Sequence, residues 1–167
     1  MGKTEDNLRE AFAGESQANR KYTAFAKKAD EEGLPNVARL FRAAAMSETH
    51  HALKHLSVLG DVGSTAENLK AAVEGETFEK SEMYPKFIAT ADEEGNTPAK
   101  MSFFAANEAE KVHADLFSEA AVALEGGSDI GAEDYYVCGV CGFTVEGEAP
   151  DTCPVCRNPK EVFEKIE

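Results

Sequence analysis

The chain has 167 residues, of which 43% are hydrophobic, and a formal net charge of -14. This length suits one full-sized domain with a small one, and the composition excludes wholesale disorder. The acidic charge argues against nucleic acid and anionic membranes as partners. Because the sequence has no leader-like segment and no apolar stretch of 18 residues, we expect a cytoplasmic protein.

Four long segments repeat apolar residues at the helical period, and in the second segment the expected core stripe runs through Val37, Leu40, Phe41 and Ala44. Ser64 and Glu67 form a capping-box pattern at the start of the third segment. Pro98 suits the first position of the fourth helix, with Thr97 as the expected N-cap. The four predicted helices cover about residues 4–32, 35–60, 64–95 and 98–127.

The second helical pair repeats the first. The motif ADEEG occurs at residues 29–33 and again at 91–95, an offset of 62. Four further pairs share this offset: Phe25 and Phe87, Phe41 and Phe103, Glu48 and Glu110, and His51 and His113. Gly14-Glu15, by contrast, matches Gly75-Glu76 at an offset of 61.

The change of offset places one extra residue inside the third helix. A single extra residue is usually absorbed as a π-bulge, and Pro85 removes a backbone donor nearby. We therefore expect an irregular turn within about residues 79–87. The alternative is that Pro85 ends one helix and starts another.

Each predicted helix places one glutamate on the face that it needs for its core, and two of these glutamates precede a histidine, His51 or His113, by three residues. A buried carboxylate is costly unless it is neutralised, paired or bound to metal. A single Glu-x-x-His is common on solvated helices, but its repetition in register matches the dinuclear carboxylate sites of four-helix bundles. The four glutamates are Glu15, Glu48, Glu76 and Glu110.

Glu79 lies one turn after Glu76 and is either a fifth carboxylate of this site or a solvated helix residue. With five carboxylates, two divalent ions leave a net charge of -1 and two trivalent ions leave +1, which an oxide or hydroxide bridge offsets. A ligand set that tolerates both oxidation states suits iron or manganese better than structural zinc.

All four cysteines fall in the last 30 residues, as two C-x-x-C pairs separated by eleven residues. This spacing is specific for a tetrahedral metal site, whereas one pair would suffice for disulfide exchange. Iron and zinc both accept four thiolates, so both remain open. Short strands are expected near residues 135–137 and 143–145, after an acidic linker at 125–134.

The motifs AFAGESQANRKY, ETHH, GETFEKSEMYP, AEKVH and CGVCG…CPVC resemble those of the rubrerythrin family over nearly the whole chain. The resemblance implies a mainly α protein: a ferritin-like di-iron four-helix bundle at 1–127, a linker at 128–134, and a small rubredoxin-like domain with short β-strands at 135–167. Arg157 departs from the family pattern, which usually has glycine after the last cysteine. This change affects hydrogen bonding to the thiolates rather than ligation.

The resemblance also implies roles for individual residues. Glu79 becomes a ligand that exchanges with His51 when iron changes oxidation state. Tyr22 and Tyr84, ordinary core aromatics by their spacing alone, lie beside the cluster, so that Glu79, Tyr22 and Tyr84 are the expected catalytic residues. Two non-haem irons are expected on Glu15, Glu48, His51, Glu76, Glu79, Glu110 and His113, and one iron, or zinc if misloaded, on Cys138, Cys141, Cys153 and Cys156.

The expected function is a peroxidase that reduces hydrogen peroxide to water in oxidative stress defence. Electrons would reach the di-iron site through the cysteine-bound iron from rubredoxin or an NAD(P)H-dependent reductase, in a homodimer or higher homo-oligomer. One alternative is a ferritin-like ferroxidase or iron-handling protein. Another, a zinc-knuckle interaction module, leaves the buried glutamates unexplained.

Overall fold

The structure is a computed structural model that describes residues 2–131 and 133–167. It divides into two compact units, one ending at Gly63 and one beginning at Ser64. The first unit is a hairpin of helix α1 (Lys3–Glu31) and helix α2 (Pro35–Leu59). Helix α2 ends where Gly60 adopts a left-handed conformation (φ 75°), which glycine accepts without steric cost.

Small residues form the interface of this first hairpin. Ala26 and Ala29 of α1 and Ala38 of α2 are buried, so the two helices approach closely. The buried Asn19 donates from Nδ2 to the carbonyl oxygen of Ala45 at 2.6 Å, which satisfies a polar group inside the interface. Leu40, which the periodicity placed on the core stripe, is 69% exposed instead, because α1 covers the alanine face of α2.

The second unit begins with helix α3 (Thr65–Phe78), a π-helical turn (Glu79–Met83) and helix α4 (Tyr84–Glu93), which together pack against helix α5 (Thr97–Glu125). The predicted capping box at Ser64 and Glu67 is confirmed. The N-cap of α5 was predicted wrongly: Asn96, not Thr97, caps it, and its Oδ1 accepts from the backbone N–H of Ala99.

The π-helical turn confirms the predicted irregularity of the third helical segment. The N–H of Tyr84 donates to the carbonyl oxygen of Glu79, five residues earlier, where an α-helix would use the fourth. The wider turn accommodates Pro85, whose ring would otherwise meet the carbonyl of Ser81. The chain remains helical through this turn, so Pro85 does not separate two unconnected helices.

Matching aromatic clusters show that the sequence repeat is also structural. In each hairpin, one tyrosine packs near two phenylalanines, and the two phenylalanine rings lie 5.5 Å apart in the first hairpin and 5.4 Å apart in the second. The clusters are Tyr22, Phe25 and Phe41 in the first unit, and Tyr84, Phe87 and Phe103 in the second.

The C-terminal part is a small antiparallel sheet with strand order β2-β1-β3. Strand β1 (Tyr135–Cys138) pairs with β2 (Thr144–Glu146), close to the predicted strands, and with β3 (Phe163–Ile166), which was not predicted. The fold class is therefore the expected one: four long helical segments followed by a small β domain. The exact domain boundaries remain a prediction, and no helix of the described residues is long and apolar enough to cross a bilayer.

Candidate metal centres

The first hairpin brings together three of the predicted ligands, Glu15 from α1 and Glu48 and His51 from α2. Their ligand atoms lie within 4.8 Å of one another. His51 Nδ1 is 2.8 Å from Glu48 Oε2 and 3.8 Å from Glu15 Oε1. Because residues three apart share a helix face, α2 presents a carboxylate and an imidazole side by side, as a metal ion requires.

The second hairpin repeats this triad with Glu76 from α3 and Glu110 and His113 from α5. His113 Nδ1 lies 2.7 Å from Glu110 Oε2 and 3.8 Å from Glu76 Oε2. The two hairpins thus combine the same three residue types with nearly equal distances from histidine to glutamate.

The second triad is chemically incomplete without a cation. Glu76 Oε2 is buried and, within the described part of the chain, has no hydrogen-bond partner. Burial and the neighbouring Glu110 and Glu79 carboxylates raise the pKa of Glu76 to about 7. An orphaned carboxylate oxygen beside other carboxylates and an imidazole fits a divalent metal, whose charge would remove this repulsion.

Glu79 and Tyr84 lie close to the second triad. Glu79 opens the π-helical turn, and burial and the Glu110 charge raise its pKa. Burial, followed by the charges of Glu79 and Glu110, raises the pKa of Tyr84. Tyr22 lies in the aromatic cluster of the first hairpin. Ligation by Glu79 and its exchange with His51 remain predictions.

Sequence reasoning missed one contact of the second triad. His113 Nε2, on the side of the ring away from Glu110, lies 2.8 Å from the hydroxyl oxygen of Thr144 in β2. Thr144 belongs to no recognisable motif, and its position beside α5 depends on how the sheet packs on that helix. The sequence therefore contained no signal for this contact.

The four cysteines converge as their spacing predicted, and all are free thiols. Cys138 Sγ lies 3.6 Å from Cys156 Sγ, and Cys141 Sγ lies 3.6 Å from Cys153 Sγ. Four thiolates bound to one ion at about 2.3 Å would lie about 3.75 Å apart in a tetrahedron. The cluster thus has the dimensions of a tetrathiolate metal site.

Burial and local hydrogen bonds shift the pKa values of Cys141 and Cys156 in opposite directions. Burial raises the pKa of Cys141 to about 12. At Cys156 burial acts in the same direction, but hydrogen bonds from Asn158 outweigh it and lower the pKa to about 6. Asn158 Nδ2 donates to Cys156 Sγ at 3.3 Å, a contact that the spacing of the cysteines did not reveal.

Repeated Glu/His triads on helical hairpins, followed by a four-cysteine sheet, define a ferritin-like metalloprotein with a rubredoxin-like domain. The family profile described as Rubrerythrin matches residues 6–121, and the one described as Rubrerythrin, rubredoxin-like domain matches residues 136–164. The chain belongs to the rubrerythrin family.

Relatives and solved structures match this chain over nearly its full length. Rubrerythrin-2 of Clostridium acetobutylicum is 38% identical over 96% of this chain and 95% of its own length. Nigerythrin of Nitratidesulfovibrio vulgaris is 38% identical over 98% of this chain and 86% of its own. A structure described as the partially reduced state of nigerythrin matches with a TM-score of 0.57 and 36% identity, covering 99% of this chain and 88% of that one.

Family membership and the side chains described above together support a di-iron-type site in the helical part and a rubredoxin-like four-cysteine site in the C-terminal part. Rubrerythrins are generally oxidoreductases.

Proposed function

We propose that this protein is a non-haem di-iron peroxidase that reduces hydrogen peroxide to water. In this proposal the two Glu/His triads hold two iron ions, with Glu79 as an additional carboxylate ligand, and the four cysteines hold a third. Peroxide takes up two electrons and two protons and leaves as two water molecules. The two bundle irons, when bound, supply the electrons and the Lewis acidity for cleavage of the O–O bond.

The observation that carries the proposal is the presence of both metal centres in one chain. Two matching triads, one of them with a buried, unpartnered Glu76 oxygen, favour two metal positions with the ligand types of di-iron carboxylate proteins. A tetrathiolate iron is a one-electron carrier, so it can return electrons singly to a site that is oxidised by two. A storage protein has no need of such a carrier, which favours the peroxidase over a ferroxidase.

The iron assignment rests on ligand chemistry and on relatives. Carboxylate-rich sites with imidazole tolerate both oxidation states of iron, and thiolates also bind iron. One matching structure is described as fully reduced nigerythrin, all ferrous, which shows iron in a relative of this chain. We extend that metal to both sites here.

The side chains around the second triad suit proton management. The raised pKa of Tyr84 keeps its phenol protonated, so that it can donate a hydrogen bond near Glu79 and Glu110. With its pKa raised to about 7, Glu76 is partly protonated near neutral pH in the metal-free protein and must lose that proton when metal binds.

We further propose that electrons come from an external donor, rubredoxin or an NAD(P)H-dependent reductase, and that the protein acts in the cytoplasm in oxidative stress defence. A homodimer or higher homo-oligomer is the proposed assembly. Size-exclusion chromatography with light scattering tests the assembly directly. A monomeric mass at micromolar concentration would contradict it.

Peroxide turnover by iron-loaded protein tests the central proposal. Anaerobically reduced protein should consume peroxide repeatedly when a reductase and NAD(P)H are supplied. A double variant that carries Cys138→Ser and Cys153→Ser should still have its bundle irons oxidised once by peroxide, but it should not turn over repeatedly. A ferroxidase would instead oxidise and accumulate added Fe²⁺ far beyond three ions per chain, with little NAD(P)H-dependent peroxide consumption.

A further inference from the structure

The hydroxyl of Thr144 and the outer nitrogen of His113 connect the β domain to the second triad. Thr144 is the first residue of β2, and its Oγ1 lies 2.8 Å from His113 Nε2. The pair lines an apolar cavity of about 340 Å³ whose walls include Leu116, Phe117 and Ile166. In apolar surroundings water competes weakly, so the hydrogen bond constrains the ring more strongly than it would at an exposed surface.

The equivalent histidine of the first hairpin lacks this support. His51 repeats the Nδ1 contact to its own glutamate, but within the described residues of the first unit, 2–63, its Nε2 has no hydrogen-bond partner. The His51 side chain is 53% exposed and the His113 side chain 29%. The two triads therefore differ in how firmly their imidazoles are held.

A hydroxyl suits this position because it can both donate and accept. In the tautomer with the ring proton on Nδ1, Nδ1–H of His113 donates to the Glu110 carboxylate and Nε2 accepts from the Thr144 hydroxyl. A metal on Nδ1 requires that nitrogen's lone pair, which moves the ring proton to Nε2. Nε2–H then donates to Thr144 Oγ1 with no change in the position of either side chain.

The backbone around Thr144 is fixed by the cysteine loop. The preceding residue, Phe143, accepts a hydrogen bond from the N–H of Cys138 at 2.9 Å, and its own backbone hydrogen bond reaches Cys141. Thr144 also pairs with Val137 across the sheet. The hydroxyl is thus presented from a rigid support rather than from a mobile loop.

We propose that Thr144 is a positioning residue of the second triad, whose hydroxyl holds the His113 ring with Nδ1 directed at Glu110 and Glu76. This inference rests on the metal site of the proposed function. Hydrogen-bond partners of metal-bound histidines fix the tautomer and ring orientation, and their loss typically weakens metal binding about 10–100-fold.

Anaerobic calorimetric titration with Co²⁺ tests the inference on the full chain, with the cysteine site first filled with Zn²⁺. Thr144→Val keeps the shape of the side chain and removes the hydroxyl, and should weaken binding of one of the two helical-site ions about 10–100-fold. Thr144→Ser should restore most of the affinity. Thr152→Val, the same change at an exposed position of the β domain, should have no effect.

Proton NMR of the Co²⁺-loaded protein adds a readout of the hydrogen bond itself. Wild-type protein should show one slowly exchanging, paramagnetically shifted imidazole N–H, from His113, and a rapidly exchanging one from His51. Thr144→Val should lose the slow signal and Thr144→Ser should keep it. If Thr144→Val matches wild type in affinity and spectrum, the inference is overturned, whereas failure of the wild type to bind Co²⁺ in the helical part would overturn the proposed function itself.

Discussion

His51 Nδ1 lies 2.8 Å from Glu48 Oε2, one helical turn earlier in α2. His113 and Glu110 repeat this relationship in α5 at 2.7 Å. Single Glu/His pairs three residues apart are common on helices, but here each pair also meets a glutamate from the facing helix of its own hairpin, with 3.8 Å to the histidine in both cases. Two copies of one three-residue geometry favour a shared metal-binding role over two unrelated ion pairs.

Adjacent histidines in α2 provide a matched test of that role. We expect His51→Ala to weaken Fe²⁺ binding in the helical part at least tenfold, because it removes a ligand rather than a residue that supports one. His50→Ala, one residue away and exposed, should leave binding unchanged. Anaerobic Fe²⁺ titration of both variants gives the comparison, and equal affinities in the two would exclude His51 as a ligand.

The raised pKa of Glu76 predicts how the stability of the metal-free protein depends on pH. The folded state has a pKa of about 7 at this carboxyl, above the ordinary glutamate value of 4.5 that applies to the unfolded chain. Between these values the folded state binds more protons, so this contribution to stability is present below about pH 4.5 and is lost as pH rises to about 7. The slope from one group is at most about 1.4 kcal/mol per pH unit.

Urea unfolding of metal-free protein between pH 5 and 7.5 measures this dependence. Glu76→Gln, which is neutral at every pH, should flatten the decline without removing it, because Glu79 also has a raised pKa. In wild-type protein, metal affinity should rise with pH up to about 7 and then level off, since Glu76 has lost its proton. A pH dependence identical in Glu76→Gln and wild type would show that Glu76 ionises normally.

Periodicity and repetition were sufficient to predict much of the helical part. The apolar period gave four helical segments, and the change of offset from 61 to 62 located the π-helical turn that begins at Glu79. The triads could be predicted because a carboxylate on the core face of a helix needs a partner. The cysteine cluster could be predicted from the spacing of the cysteines alone. These are local patterns, in which residues a few positions apart determine the geometry.

Features that depend on packing between elements were not predictable. The periodicity placed Leu40 on the core stripe of α2, but α1 packs on the alanine face because small side chains permit closer contact. In strand β3 two adjacent charged residues, Glu164 and Lys165, separate Phe163 from Ile166, so the strand lacks an alternating apolar pattern and only its pairing with β1 defines it. The contact between Thr144 and His113 joins residues 31 apart in sequence and depends on the docking of the sheet on α5.

Asn158 should tune the potential of a cysteine-bound iron. Its Nδ2 donates to Cys156 Sγ, and such a hydrogen bond stabilises the more negatively charged, reduced centre. Loss of a bond of about 0.5–1.5 kcal/mol corresponds to about 20–65 mV for one electron. Asn158→Ala should therefore lower the reduction potential by this amount.

Spectroelectrochemical titration of the thiolate-to-iron absorption band measures that potential. Asn158→Asp is a useful second variant, because its negative charge beside the sulfur should lower the potential further than alanine does. A potential for Asn158→Ala equal to or above that of wild type would contradict the assigned role of the hydrogen bond.

Arg157 adopts a left-handed backbone conformation with φ 63° immediately after the last cysteine. For a residue with a side chain this conformation costs about 1–2 kcal/mol, whereas glycine adopts it freely but loses about 0.5–1 kcal/mol more conformational entropy on folding. Arg157→Gly should therefore stabilise the C-terminal part by up to about 1 kcal/mol. The N–H of residue 157 would still donate to the carbonyl oxygen of Cys153, so ligation should be unchanged.

Gly142 supplies the converse change on the other cysteine loop. It has φ 79°, and no atom lies within 4 Å of the position a Cβ would occupy, so Gly142→Ala introduces backbone strain without a clash. We expect it to destabilise the C-terminal part by up to about 1 kcal/mol. Thermal unfolding of the full chain can be followed at the thiolate-to-metal absorption band. The midpoint temperature should be highest for Arg157→Gly, intermediate for wild type and lowest for Gly142→Ala. A midpoint for Arg157→Gly below wild type would mean that the arginine side chain stabilises the loop by more than its backbone conformation costs.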